Sequence, residues 1–274
     1  IQLRDVRDRN VITSGASTIG TAKDYATVSA FYADIGSLTG DLTGTLETGT
    51  TETAQSAPSV TQGAYDLSLL TDTPHGGSPT AGHVITTTYT ADQVLVIAGT
   101  RTTGEFIVDG VNFAWGATPA GNKYLIQASA GTNIKVINCY LDGQERANAS
   151  GTYNSANISA VFANLIGWGL NYSYIATVLS ATYDNCGSYN STLDGFYGGG
   201  VSGVLRSCYS FGSGGSDFNA NISAMTRNNL ASSDTTATGT APQISLTTAN
   251  EIETDDTDAN FMHPLNDSAT IWTN

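Results

Sequence analysis

The chain has 274 residues and a formal net charge of −14, with Lys+Arg 10 against Asp+Glu 24. Only 12% of residues are charged, while 40% are hydrophobic and 9% aromatic. That balance excludes a disordered acidic chain, the length suffices for a sizeable core, and so few cations argue against a nucleic-acid backbone as partner. No apolar run is long enough to span a bilayer, so membrane insertion is not expected. Solubility rests on Thr, Ser, Asn and Gly, which disfavour helices and point to a β-architecture.

In chain order, residues 1–22 are polar, with Arg4, Arg7 and Arg9 near the start, and read as an arm or attachment segment. No basic stretch followed by an apolar one opens the chain, so no signal peptide is visible in it; either a segment was removed or the chain begins inside a longer product. Residues 24–35, DYATVSAFYADI, predict a helix capped by Asp24, with Tyr25, Val28, Phe31, Tyr32 and Ile35 on one face. Residues 38–62 alternate as strands and turns. Pro and Gly mark 72–83 as a loop. Residues 23–83 thus form a helix followed by first strands and loops. Residues 84–97 hold two alternating runs.

Beyond residue 104 the chain repeats. The segments IVDGVNFAWG, NIKVINCYLDG, AVFANLIGWG, ATYDNCGSYN, GVLRSCYSFG and SAMTRNNLAS align on Asn112, Asn138, Asn164, Asn185, Ser207 and Asn228. The following residues are Phe113, Cys139, Leu165, Cys186, Cys208 and Asn229. The spacing, 21 to 26 residues, marks a solenoid. One short coil cannot bury its own inward side chains, whereas stacked coils close a backbone ladder around a continuous interior. Asn tolerates the left-handed backbone of a tight turn. Small apolar thiols suit a narrow interior. Loops at 116–123 and 144–156 are expected to project. The other readings of the repeat are a leucine-rich solenoid, whose leucine spacing is missing, or chance in a biased composition. Three widely spaced cysteines make neither a CxxC zinc pair nor a disulfide framework, so free thiols and no metal are expected.

This coil pattern resembles the right-handed parallel β-helix proteins, which include pectin lyase-like enzymes, tailspikes and related virion proteins. The resemblance covers about residues 84–270. KDYATVSAFYADI looks like the short amphipathic helix at the N-terminal mouth of such solenoids, GDLTGTLETG resembles their first strands, and DANFMHPLNDSATIWTN is similar to their closing segment. The resemblance implies an all-β, right-handed parallel β-helix with a short N-terminal capping helix, coils over 84–240 and a closing segment over 241–274.

Fold alone does not assign chemistry. Lyases of this type use clustered carboxylates for calcium with an Arg or Lys. Here the cations on the coils are Lys123, Lys135, Arg146, Arg206 and Arg227. Arg206 and Arg227 read as equivalent positions in successive coils, with Asp184 placed to pair with Arg206 in an exposed ladder. A polygalacturonase-like set of three Asp and a His is missing; His75 and His83 lie in a loop and His263 in the tail. Asp194 and Asp217, one coil apart, are the best carboxylate pair for a glycosidase, although Asp before Gly or Phe is more often a turn residue. The acidic run Glu251, Glu253, Asp255, Asp256 and Asp258 lacks the spacing of a calcium loop. No nucleotide or hydrolase motif appears, and no cofactor is expected. Tyrosines crowd the central coils, and Tyr172, Tyr174, Tyr189 and Tyr197 are candidates for stacking on sugar rings or forming an interface.

The reading this supports is a non-enzymatic bacteriophage virion protein: a capsid decoration, head fibre or tail spike component on the virion surface. Its partners would be other virion proteins, copies of itself and a host glycan. The alternatives are a polysaccharide-degrading β-helix enzyme and an extracellular adhesin.

Overall fold

In a computed structural model of the protein, residues 11–246 are described, apart from 57–59, 75–81, 92, 99, 130–132, 155–159, 177–180, 199–202, 220–225, 229, 240, 241, 243 and 245. Arg4, Arg7, Arg9, His75, His263 and the acidic run 251–258 lie outside the described residues.

Strand follows strand through three parallel sheets, visited in turn. Sheet one holds β1 (Gly15–Ile19), β2 (Leu42–Leu46), β5 (Leu67–Thr71), β9 (Phe106–Asp109), β12 (Ile134–Ile137), β15 (Ala160–Ala163), β18 (Ala181–Asp184), β21 (Val204–Arg206) and β23 (Thr226–Asn228). Sheet two holds β3 (Thr50–Glu52), β6 (Val84–Thr87), β10 (Asn112–Trp115), β13 (Tyr140–Asp142), β16 (Ile166–Trp168), β19 (Gly187–Tyr189), β22 (Tyr209–Phe211) and β24 (Ala231–Ser232). Sheet three holds β7 (Leu95–Ile97), β11 (Lys123–Ala128), β14 (Ala149–Asn154), β17 (Tyr174–Ala176) and β20 (Phe196–Gly198), and β4 (Thr61–Gly63) pairs with β8 (Thr100–Arg101). Sequential strands of a sheet neighbour one another, so the chain is a parallel β-solenoid.

Alternation in the strands sends one side chain inward and the next outward. In sheet one, Leu69, Val108, Val136, Phe162, Tyr183 and Leu205 stand in register and are all buried. The turn into sheet two uses one left-handed residue per coil: Gly110, Asn138, Asn164, Asn185 and Ser207, with φ of 75, 54, 54, 51 and 52°. Val111, Cys139, Leu165, Cys186 and Cys208 follow, each fully buried. The three thiols are free. Burial pushes the Cys139 thiol up to about 12.

This column corrects the ends of the predicted ladder. Asn112 pairs with Tyr140 inside sheet two, two places beyond the turn, because Gly110 supplies the positive φ in that coil. Asn228 pairs with Arg206, not Ser207, so it lies one place short of the turn register. By the same pairing Arg227 stands level with Leu205. Arg206 and Arg227 are therefore not equivalent, and the stacked-cation ladder does not form. Asp184 does pair with Arg206, Nε to Oδ1 at 3.0 Å.

The first coils also begin earlier than expected. β1 lies within the predicted arm, pairs in register with β2, and buries Ile19 completely. With β2 and β5 in the same sheet as the later coils, the solenoid starts before residue 84. The predicted helix over 24–35 is only α1 (Val28–Ala33), capped by Thr27. Asp24 instead accepts from the backbone and hydroxyl of Thr18. Because β1 precedes α1 and pairs with β2, the helix sits inside the first coil and not ahead of it. It buries Val28, Phe31 and Tyr32. It docks on β3, where the buried Glu52 carboxylate accepts from the backbone N–H groups of Val28 and Ser29. The expected loop at 144–156 contains β14 from Ala149.

Candidate functional site

The outward face of sheet three gathers aromatic side chains. Ile126, Thr152, Tyr174 and Phe196 align down the inward side, so Gln127, Tyr153, Ile175 and Tyr197 align down the outward side. Tyr124 stands three places before Gln127 on β11, and its ring stacks on Tyr153 of the next coil at 4.4 Å between centroids and 16°. Tyr172 stands three places before Ile175, and its ring meets Tyr197 of the next coil at 5.3 Å and 56°. One offset thus occurs twice, in coils two apart, and yields two tyrosine pairs. All four rings are part-exposed.

Polar groups border the pairs. Asn171, next to Tyr172 in sequence, donates at 3.2 Å to Asn122, two residues before Tyr124. The phenol of Tyr172 is raised, first by burial and then by the charge of Asp194 and by Tyr197. Burial, followed by Tyr153 and Tyr172, raises that of Tyr124. Tyr124 stands level with Ser150, whose neighbour Gly151 donates to the Tyr172 carbonyl at 2.9 Å, so the two pairs lie along one column of successive coils. The face offers apolar ring faces with phenolic hydroxyls at their rims.

Of the tyrosines singled out in the sequence, Tyr172 and Tyr197 come together here. Tyr174 does not: it is buried in the interior, stacked on Phe196 at 4.6 Å, with its hydroxyl donating to the carbonyls of Leu165 and Gly187. Its even place in the strand faces the core. Tyr189 lies on the outer side of sheet two, level with Trp168 and Phe211. There it packs on a second apolar cluster of Tyr140, Ile166, Tyr209, Phe211 and Ala231. Tyr124 and Tyr153, which complete the patch, give no signal until the register between coils is known.

Asp194 and Asp217 are not brought level. Gly195 and Phe196 donate to the carbonyls of Ser216 and Asp217, which sets Asp194 beside Ser216 and Asp217 beside Gly195. Asp194 is 8% exposed and Asp217 1%. Asp194 accepts from the Ser216 backbone at 2.8 Å and from Asn219 at 3.1 Å. Asp217 accepts from the hydroxyls of Ser210, Ser232 and Ser233 and from the backbone of Ser213, Ser233 and Asp234. Both carboxylates organise turns. Lys135 pairs with Glu105 and His83 with Asp72. Among the described residues no group of three His, Cys, Asp or Glu is placed to hold a metal.

These features define a β-solenoid with an aromatic outer face. No protein-family model and no curated protein sequence matches the chain. Among solved structures it is similar to the crystal structure of the pectin methylesterase from Aspergillus niger in deglycosylated form. The TM-score is 0.54 at 12% identity, over 95% of this chain and 94% of that one. A second structure of that esterase, penultimately deglycosylated, gives 0.51 over the same shares. The chain therefore has the right-handed parallel β-helix, or pectin lyase-like, fold.

Proposed function

We propose that this chain is a non-catalytic β-helix that holds polysaccharide on the tyrosine face of sheet three, displayed on a bacteriophage particle. The carrying observation is the repeated tyrosine pair, Tyr124 with Tyr153 and Tyr172 with Tyr197. Flat, part-exposed rings with phenolic hydroxyls stack on the apolar faces of sugars and bond their rims. Asp194 and Asp217 favour holding over cutting, because their oxygens are engaged in building turns. The phage setting rests on the resemblance of the coils to virion β-helices.

Affinity electrophoresis in gels cast with a panel of polysaccharides tests this. The chain should be retarded by at least one of them, and Tyr153→Ala combined with Tyr197→Ala should abolish retardation while leaving the circular dichroism spectrum unchanged. Release of reducing ends or unsaturated products would instead establish the polysaccharide-degrading reading. Retardation by none, or retention unaffected by the double substitution, overturns the site.

A further inference from the structure

We infer that the ligand of the tyrosine face is a linear, uncharged polysaccharide lying along the solenoid axis and engaged twice, once by each tyrosine pair; this rests on the glycan-binding reading above. Strands of adjacent coils lie about 4.8 Å apart. The pair formed by Tyr124 and Tyr153 and the pair formed by Tyr172 and Tyr197 share one offset and are displaced by two coils, roughly 10 Å along the axis. A polymer crossing the strands meets both pairs, whereas one running along a strand meets one. The repeat therefore fits a chain whose own repeat is a disaccharide or a near multiple of it.

The electrostatics select the class. The charged residues flanking the patch in sequence are Lys123 at the start of β11, Glu145 and Arg146 on the turn into β14 and Asp194 on the turn into β20. Asp194 is 8% exposed, and its charge reaches the Tyr172 phenol. An acidic sugar chain laid here places carboxylates or sulfates next to that buried anion, on a chain of net charge −14. Like charges drawn together out of water repel at short range. Neutral and N-acetylated sugars escape this, and their hydroxyls and amides match the exposed Asn122 and the part-exposed Gln127.

Calorimetric titration with three oligosaccharide ladders, each from dimer to octamer, tests the inference: cello-oligosaccharides, N-acetylglucosamine oligomers and oligogalacturonates. A neutral ladder should bind with a step of about tenfold in affinity at the length that spans both pairs, the size of one central aromatic contact. Tyr153→Ala and Tyr197→Ala should each remove the step, and Tyr→Trp at either position should keep it. Tyrosine-dependent binding of oligogalacturonate, or neutral binding with no step in length, overturns the inference and leaves the glycan reading standing. No binding by any ladder, together with no retardation in the polysaccharide gels, overturns both.

Discussion

Asn164 shows how one residue type serves the turn and the stack at once. Its φ of 54° lies where side chains other than Asn and Gly are disfavoured. Its amide donates to the Oδ1 of Asn138 at 2.9 Å and accepts from Asn185 at 2.9 Å, and Asn138 in turn donates to Asp109 at 2.7 Å. Each of these three Asn turns is thereby tied to the coil before it. Asn164→Gly keeps the backbone freedom and loses two exposed hydrogen bonds, so it should cost about 1 kcal/mol. Asn164→Ala leaves a Cβ in the left-handed region without the polar side chain that lets Asn occupy it, which adds about 1 kcal/mol. Urea unfolding should order the midpoints wild type, Gly, Ala with one common m-value; Gly at or below Ala would assign the strain elsewhere.

At the scale of elements, β1 and α1 show what the sequence conveys and what it withholds. The period of the later coils and the small turn residue were legible, because an inward apolar group and a left-handed residue recur in every coil. β1 was not. Its inward positions are Gly15, Ser17 and Ile19, which carry little hydrophobic signal. The reason is local: at Gly44 on β2 a Cβ would meet the Phe31 ring at 2.6 Å and Ile19 Cδ1 at 2.9 Å, so α1 fills this coil with its aromatics. The same reasoning explains the slip at Asn112, where Gly110 had taken the turn. The tyrosine patch was half legible, since its pairs are separated by 29 and 25 positions in sequence and meet only once coils are stacked. Removing residues 1–22 thus strips a paired strand and uncovers the edge of β2. The truncated chain should aggregate or lose its cooperative melt, seen by size-exclusion chromatography and circular dichroism, because an unpaired β-edge templates association. A monomer with an unchanged melting temperature would show that β1 adds nothing to the fold.

Across the whole molecule the interior changes character from one end to the other. Down the inward side of sheet two stand Ile85, Phe113, Leu141, Gly167, Ser188, Ser210 and Ser232, in register and buried throughout. Hydrocarbon gives way to hydroxyl halfway along. The hydroxyls satisfy one another: Ser188 donates to Ser173 at 2.8 Å and lies 3.0 Å from Ser191, while Ser210 and Ser232 donate to Asp217. Stacked Tyr174, Phe196 and Phe218 on the opposite side restore some apolar volume. A buried Leu or Phe still contributes about 1.5–3 kcal/mol that a Ser does not. In a solenoid each coil is stabilised mainly by its neighbours, so such differences stay local and openings start at the weaker end. Native-state hydrogen exchange should therefore find the amides of β19 and β22 less protected than those of β10 and β13, by about 2 kcal/mol in opening free energy. Position near an end does not account for this if β2, one strand from the opposite edge of sheet one, stays better protected than β22, one strand from the edge of sheet two. Equal protection in all these strands would mean that the solenoid opens as a single unit, with the serine column as tightly coupled as the leucines.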